Sequence, residues 1–294
     1  MNSPISPGSK PRLRPETFRL LRDWVNERAG LQFGDDSAYV FERRLEPRLA
    51  ALQLEGYDDY YKLLRLGEQG EAEFEELIER LTTKETYFYR QDYQLEAFER
   101  ELLPRLVQQR GARRRLTVWS AGCATGEEPY TLAIMLDRCG LFAGWDVRVI
   151  GSDISKRSIA AARRGIYRQN SFRVAPDWLK PEYFAACEGG WQVDERIRRM
   201  CHFGQLNLLE RARASLVGRI DVVFCRNVLI YFDASSRKRV IDNLYERLLP
   251  GGYLLLGHSE SLLNVSTAFE LVHLSSDLVY QRPVTGQAGE EGVL

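Results

Sequence analysis

Apolar positions recur every three or four residues through the first ninety positions, and then the pattern changes. In PETFRLLRDWVNERAG the residues Phe18, Leu21, Trp24 and Val25 draw one apolar stripe, and YVFERRLEPRLAALQLEG and EAEFEELIERLTT repeat the habit. This spacing predicts amphipathic helices, with Gly30 and Gly56 placed at their C-terminal stops. Beyond residue 90 the short apolar runs LTVWSA, DVRVIGSD, DVVFCRN and YLLLGH alternate with helical patterns, and each closes on polar or glycine-rich residues. That alternation predicts an α/β domain, a parallel sheet covered by helices. FELVHL and DLVYQR, parted by a Ser-Ser turn, are expected to pair antiparallel at one edge. The chain therefore divides into a tail at 1–15, a small helical domain at 16–90, an α/β domain at 91–283 with a small inserted subdomain near 175–205, and a second tail at 284–294. Pro, Ser and Gly without apolar period mark the tails as mobile.

Composition narrows the function classes. With 294 residues, 44% of them hydrophobic, a sizeable core can form. Apolar runs such as Tyr253 to Leu256 are too short to span a bilayer, and no leader pattern opens the chain, so a cytoplasmic protein without membrane insertion is expected. Cys123, Cys139, Cys187, Cys201 and Cys225 form no C-x-x-C pair, and their odd number suits reduced thiols. With His202, His258 and His273 at no ligand spacing, no metal site is expected. A formal net charge of zero gives no general attraction to nucleic acid. Locally, Arg43, Arg44 and Arg48 precede an acidic stretch from Glu55 to Glu79, which periodicity alone reads as solvated helix faces. The Arg113 to Arg115 run reads as a solvated connector.

The strongest local signal is VWSAGCATGEEPY, residues 118–130, where a buried strand enters a turn with Gly122 and Gly126 and opens a helix at EEPYTLAIML. In open parallel sheets a ligand lies beyond the carboxyl ends of the strands, where small residues allow close approach. Glu127 and Glu128 stand where a phosphate-binding turn would present bare amides or lysine, so pyrophosphate would be repelled. S-adenosylmethionine, with a sulfonium, an ammonium and one carboxylate, suits an acidic turn. No nucleotide loop of the G-x-x-x-x-G-K-[ST] kind and no strict G-x-G-x-x-G is present.

Other strand ends add candidates. Asp153 can accept both ribose hydroxyls or can cap the helix that follows it. Asn207 and Leu208 offer an amide edge and an apolar face to adenine, or form an ordinary loop. Arg226 and Asn227, after IDVVF, face the ligand crevice, and Tyr231 either walls the reacting centre or packs beneath the next helix. His258, Ser259 and Glu260 lack a nucleophile elbow and triad partners and read as structural.

Taken together, LTTKETYFYR, SAGCATGEEPYTLA, GSDIS, LNLL, CRNVLIYFD and PGGYLLLGHSE closely resemble the CheR family of chemotaxis receptor methyltransferases, in order and spacing across almost the whole chain. The resemblance implies a Rossmann-like S-adenosylmethionine-dependent methyltransferase sheet preceded by a small all-α domain. It implies methyl transfer to glutamates of the chemoreceptor cytoplasmic helical bundle, giving methyl esters. Carried over position by position, it places cofactor contacts at Lys84, Thr86, Arg90, Glu128, Asp153, Asn207, Leu208, Arg226 and Asn227. Arg90 and Tyr231 become the catalytic candidates, and Arg43, Arg44 and Arg48 help dock the receptor. Where family members usually carry asparagine this chain has Lys84, whose ammonium turns to the cofactor carboxylate or to solvent. The stretch Cys187 to Cys201 looks shorter than the hairpin of members that grip a C-terminal pentapeptide tether, so independence from that tether is expected.

A substrate glutamate, with a pKa near ~4.3, is already an anionic nucleophile at neutral pH, so no general base is required. Arg90 can orient the cofactor carboxylate or the substrate. Rival readings are a methyltransferase acting on nucleic acid or a small molecule, which often shows an Asn/Asp-Pro-Pro-aromatic loop where this chain has CRNVLIYF, a non-catalytic adaptor that keeps the pocket, and, more distantly, a nicotinamide oxidoreductase.

Overall fold

The computed structural model describes residues 11–284, and the chain divides into two compact units after Thr83. The expected tails fall largely on residues 1–10 and 285–294, outside the described ones. The first unit holds α1 (Pro15–Ala29), α2 (Ala38–Ala51), α3 (Tyr57–Leu66) and α4 (Gly70–Leu81). The apolar stripe is the buried face: Phe18, Leu21 and Val25 of α1 and Phe41, Leu45 and Leu49 of α2 are buried, and the Phe18 and Phe41 rings meet edge to face with centroids 5.3 Å apart. Full burial of each such side chain stabilises the unit by roughly 1.5–3 kcal/mol.

Gly30 ends α1 in the left-handed region, φ +72°, and donates to the Asn26 carbonyl, as its sequence position suggested. Gly56 differs. It precedes α3, a separate short helix, while α2 ends at Ala51. Leu13, within the stretch expected to be a tail, is buried and its N–H donates to Glu42 Oε1 at 2.9 Å.

The second unit begins with α5 (Asp92–Ala97), continues through a π-helical turn, Phe98–Leu102, into α6 (Leu103–Arg110), and then alternates strands and helices. These are β1 (Arg115–Ala121), α7 (Glu127–Arg138), β2 (Asp146–Asp153), α8 (Lys156–Arg164), β3 (Ile166–Tyr167), α9 (Leu179–Tyr183), β4 (Phe184–Cys187), β5 (Gly190–Val193) and α10 (Glu195–Met200). There follow β6 (Cys201–Gln205), α11 (Arg211–Ala214), β7 (Ile220–Cys225), α12 (Ala234–Arg247), β8 (Leu248–Leu256), β9 (Glu270–His273) and β10 (Leu278–Gln281). The main sheet runs β6-β2-β1-β7-β8-β10-β9, parallel except for β10, which pairs antiparallel with β8 and β9. The antiparallel finish and the four main strands fall where the apolar runs put them. The small sheet β3-β5-β4 opens at Ile166, earlier than expected, and Cys201–Gln205 belongs to the main sheet as its edge strand beside β2.

Helices on both faces explain why the central strands read as unbroken apolar runs. Alternate residues feed two cores. Val118, Phe224 and Leu255 pack with α5 to α7, whereas Trp119, Val223 and Leu254 pack with α12. At the amino end of the sheet Asp221, fully buried, accepts from Arg110 Nε at 2.8 Å, Arg113 Nη2 at 2.7 Å and the Thr117 N–H at 2.9 Å. The Arg113 to Arg115 run is exposed and leads into β1, as a solvated connector should, and its side chains tie the sheet's amino end together: Arg113 reaches Asp221, Arg114 donates to the Ala143 carbonyl and Arg115 pairs with Asp146. A buried carboxylate such as Asp221 needs donors of this kind. Among the described residues no helix is long and apolar enough to cross a membrane.

Candidate functional site

β2 lies on one side of β1 and β7 on the other, so the crevice where the strand order reverses opens beyond the carboxyl end of β1. The turn there is held from several sides. Gly122 (φ +82°) and Gly126 (φ +96°) are left-handed, and a Cβ on Gly122 would stand 2.4 Å from Val228 Cγ2. The loop after β7 thus packs directly on the glycine turn, a closeness only glycine permits. The N–H groups of Gly122 and Cys123 donate to the Ser152 carbonyl, and the Ala124 N–H donates to Asp153 Oδ2 at 2.9 Å.

Asp153 therefore ties the turn to the end of β2, and its Oδ1 accepts from the Ser155 N–H. The cap of α8 is Ser155, whose side chain accepts from the Ser158 N–H, so capping is not the task of Asp153. The two glutamates of the turn part company. Glu127 is buried, accepts from Thr125 Oγ1 and Ser171 Oγ, and burial pushes its carboxyl above the ordinary range. Glu128 accepts from Ser120 Oγ at 2.7 Å and from Arg226 Nη1 at 3.1 Å.

Arg226, 6% exposed, also donates through Nη2 to the Arg90 carbonyl at 2.6 Å and to Gln91 Oε1 at 2.8 Å. One buried guanidinium thus joins β7, α7 and the segment before α5. Its Nε and the neighbouring Asn227 Oδ1 are buried without a hydrogen-bond partner, and Asn227 is left-handed at φ +59°. Buried polar atoms without partners mark a place where a polar ligand can complete the set.

The segment at 84–91 is pinned by Phe88, fully buried, whose N–H donates to the Ser171 carbonyl. Arg90 donates to the Glu85 carbonyl at 2.9 Å, with its guanidinium 5.6 Å from the Tyr87 ring. Lys84 and Thr86 are partly buried on the same segment. Asn207 Oδ1 accepts from the Leu209 N–H, and Leu208, 6% exposed, packs in the core cluster with Trp119 and gives its carbonyl to Asn243. Its side chain is committed to packing and offers no open apolar face. Tyr231 closes a short turn, Leu229–Tyr231, and is 37% exposed, not packed beneath α12.

Electrostatically the turn is acidic. Burial first, and then Asp153 and Glu128, push the Cys123 thiol well above its ordinary value. The residues present therefore fit a cationic donor: carboxylates at Asp153 and Glu128, left-handed glycines, and unpaired polar atoms at Arg226 and Asn227. In the first unit the three arginines separate. Arg44 caps the Arg80 and Leu81 carbonyls and Arg48 pairs with buried Glu73, which leaves Arg43 exposed. Sequence reasoning missed Gln91 and Ser120 as partners of the site. It read Glu260 as structural, and Glu260 indeed binds main-chain N–H groups, those of the loop after β7 among them.

Residues 16–82 match the family profile described as CheR methyltransferase, all-alpha domain, and residues 84–278 the one described as CheR methyltransferase, SAM binding domain. The chain is similar to Chemotaxis protein methyltransferase 2 of Vibrio cholerae, 34% identical over 276 residues that cover 93% of this chain and 95% of that one. It is 32% identical to Chemotaxis protein methyltransferase 1 of Pseudomonas aeruginosa, covering 90% of this chain and 97% of that one. A third relative, Probable biofilm formation methyltransferase WspC of Pseudomonas putida, is 37% identical over 90% of this chain and 60% of its own length.

Proposed function

This chain belongs to the CheR methyltransferase family as an S-adenosylmethionine-dependent methyltransferase, and from that premise we propose that it methylates glutamate side chains of chemoreceptors in chemosensory adaptation. The observation that carries the reading is the acidic crevice at the end of β1, where Asp153 and Glu128 surround a turn too tight for any residue but glycine at position 122. S-adenosylmethionine supplies a methyl group on a positively charged sulfur.

The residues proposed to hold it are Lys84, Thr86, Arg90, Glu128, Asp153, Asn207, Leu208, Arg226 and Asn227. Asp153, already fixed by the Ala124 and Ser155 amides, presents its carboxylate to the ribose hydroxyls without paying orientation at the moment of binding. Asn207 and Leu208 border the adenine, and Leu208 contributes main chain because its side chain is in the core. Arg90 orients a carboxylate, of donor or acceptor, and Tyr231 walls the reacting centre and excludes water. The acceptor is an anion at neutral pH, so the residues have to align it and need not deprotonate it. The partner proposed is the acidic helical bundle of the receptor, met in part by Arg43.

The test is to incubate the full chain with methyl-labelled S-adenosylmethionine and receptor-containing membranes, then to add alkali. Release of labelled methanol is expected from glutamate esters. Label that survives alkali would place the methyl on nitrogen and overturn the carboxylate assignment.

A further inference from the structure

We infer that Glu260 is a positioning residue for methyl transfer, holding the loop that presents Arg226, Asn227 and Tyr231; this rests on the crevice being the donor site. Glu260 lies three residues beyond Gly257, just past the end of β8, the strand beside β7. Its Oε2 accepts from the N–H groups of Gly257 at 2.7 Å and Asn227 at 2.8 Å. Its Oε1 accepts from Val228 at 2.9 Å and Ile230 at 3.2 Å. One carboxylate thus takes four main-chain donors from two adjacent strand ends.

The cause lies in the topology. A chain leaving a parallel strand loses its ladder partners, and amides that turn inward need another acceptor. Asn227 leaves β7 left-handed at φ +59°, a conformation that persists in a non-glycine residue only when its surroundings over-determine it. The bond from its N–H to Glu260 is part of that determination. Gly257 completes the device, since a Cβ there would stand 2.7 Å from Glu260 Oε2 and 2.8 Å from the Asn227 nitrogen. Only a residue without a side chain lets one carboxylate reach both strand ends.

What the carboxylate holds is the site itself. Arg226 immediately precedes the clamped amides and reaches Glu128, the Arg90 carbonyl and Gln91. Val228, clamped directly, closes on Gly122, and Tyr231 follows Ile230. Slack in this loop would move Arg226, Asn227 and Tyr231 together while leaving Asp153 and the glycine turn in place. Glu260 touches neither donor nor acceptor on this account; it acts through the loop.

The experiment uses the full chain with three variants. Glu260→Gln keeps the size but turns one oxygen into an amide nitrogen that faces two main-chain donors whichever way it rotates. Gly257→Ala keeps the carboxylate and pushes the strand ends apart, so it tests the clamp even if the first variant does not fold. Leu262→Ala, a buried neighbour outside the clamp, lowers stability without removing an acceptor.

S-adenosylhomocysteine binding is read by calorimetry and kcat with receptor membranes, at a temperature where circular dichroism shows each variant folded. Glu260→Gln and Gly257→Ala are expected to weaken product binding about tenfold and to lower kcat at saturating donor by about tenfold or more. Leu262→Ala is expected to stay within about twofold of the parent in both. Clamp variants that fold and match the parent, or a Leu262→Ala loss as large as theirs, would overturn the proposal. A parent chain that neither binds product nor transfers label would overturn both this inference and the function it rests on.

Discussion

A guanidinium withdrawn from water must find acceptors for its donors, and Arg226 finds Glu128, the Arg90 carbonyl and Gln91. Those partners lie 98, 136 and 135 residues away in the chain, so the arginine closes the crevice from three directions. Truncating one member of a largely buried ion pair leaves the other charge poorly compensated, a loss of about 3 kcal/mol. Arg226→Ala is accordingly expected to lose about that much stability in urea denaturation and to abolish the stabilisation that added product gives the parent. A variant as stable as the parent, and still stabilised by product, would show that the arginine is dispensable. Arg226 and Asn227 were legible in the sequence because they end an apolar run, where a parallel sheet puts ligand-facing residues. Gln91, Ser120 and the clamp made by Glu260 were not, because what they touch is set by which strand lies beside which.

Among elements, legibility followed hydrophobicity. β1, β2, β7 and β8 are buried by helices and announce themselves as apolar runs, and α1, α2 and α4 carry their stripes openly. β6, CHFGQ, has one buried residue and holds its place by hydrogen bonds to β2, which leave no trace in its composition. β3 and β5, two and four residues long, are equally silent, and the small sheet they form with β4 opens at Ile166, ahead of the inserted subdomain expected near 175–205. The same sheet bears on the proposed independence from a receptor tether. β4 and β5 are four residues each and are joined by Glu188 and Gly189 alone, so β4 offers an edge shorter than a pentapeptide needs for full strand pairing. Titrating the full chain with a receptor's C-terminal pentapeptide is expected to give no heat of binding. Micromolar or tighter association would restore the tether.

At the scale of the whole chain, a formal charge of zero hides a division of labour. Every proposed donor contact, from Lys84 to Asn227, lies in the second unit, whereas the cations proposed to meet an acidic receptor lie in the first. Family resemblance marked Arg43, Arg44 and Arg48 alike, yet their surroundings differ. Arg48 compensates Glu73, whose carboxylate is buried and also receives the Tyr60 hydroxyl, so Arg48→Ala is expected to cost about 3 kcal/mol of folding stability. Arg44 is spent on the carbonyls that end α4. Arg43 is exposed, and reversing its charge is expected to change stability by no more than about 0.5 kcal/mol and to leave product binding untouched. Its effect belongs to the encounter with the acidic partner, where like charges slow association most when salt is dilute. Arg43→Glu is therefore expected to raise the KM for receptor membranes several-fold at low ionic strength, with kcat at saturation unchanged and the difference shrinking as salt is added. An unchanged KM in dilute buffer would remove the first unit's cation from receptor docking and leave recognition to the second unit.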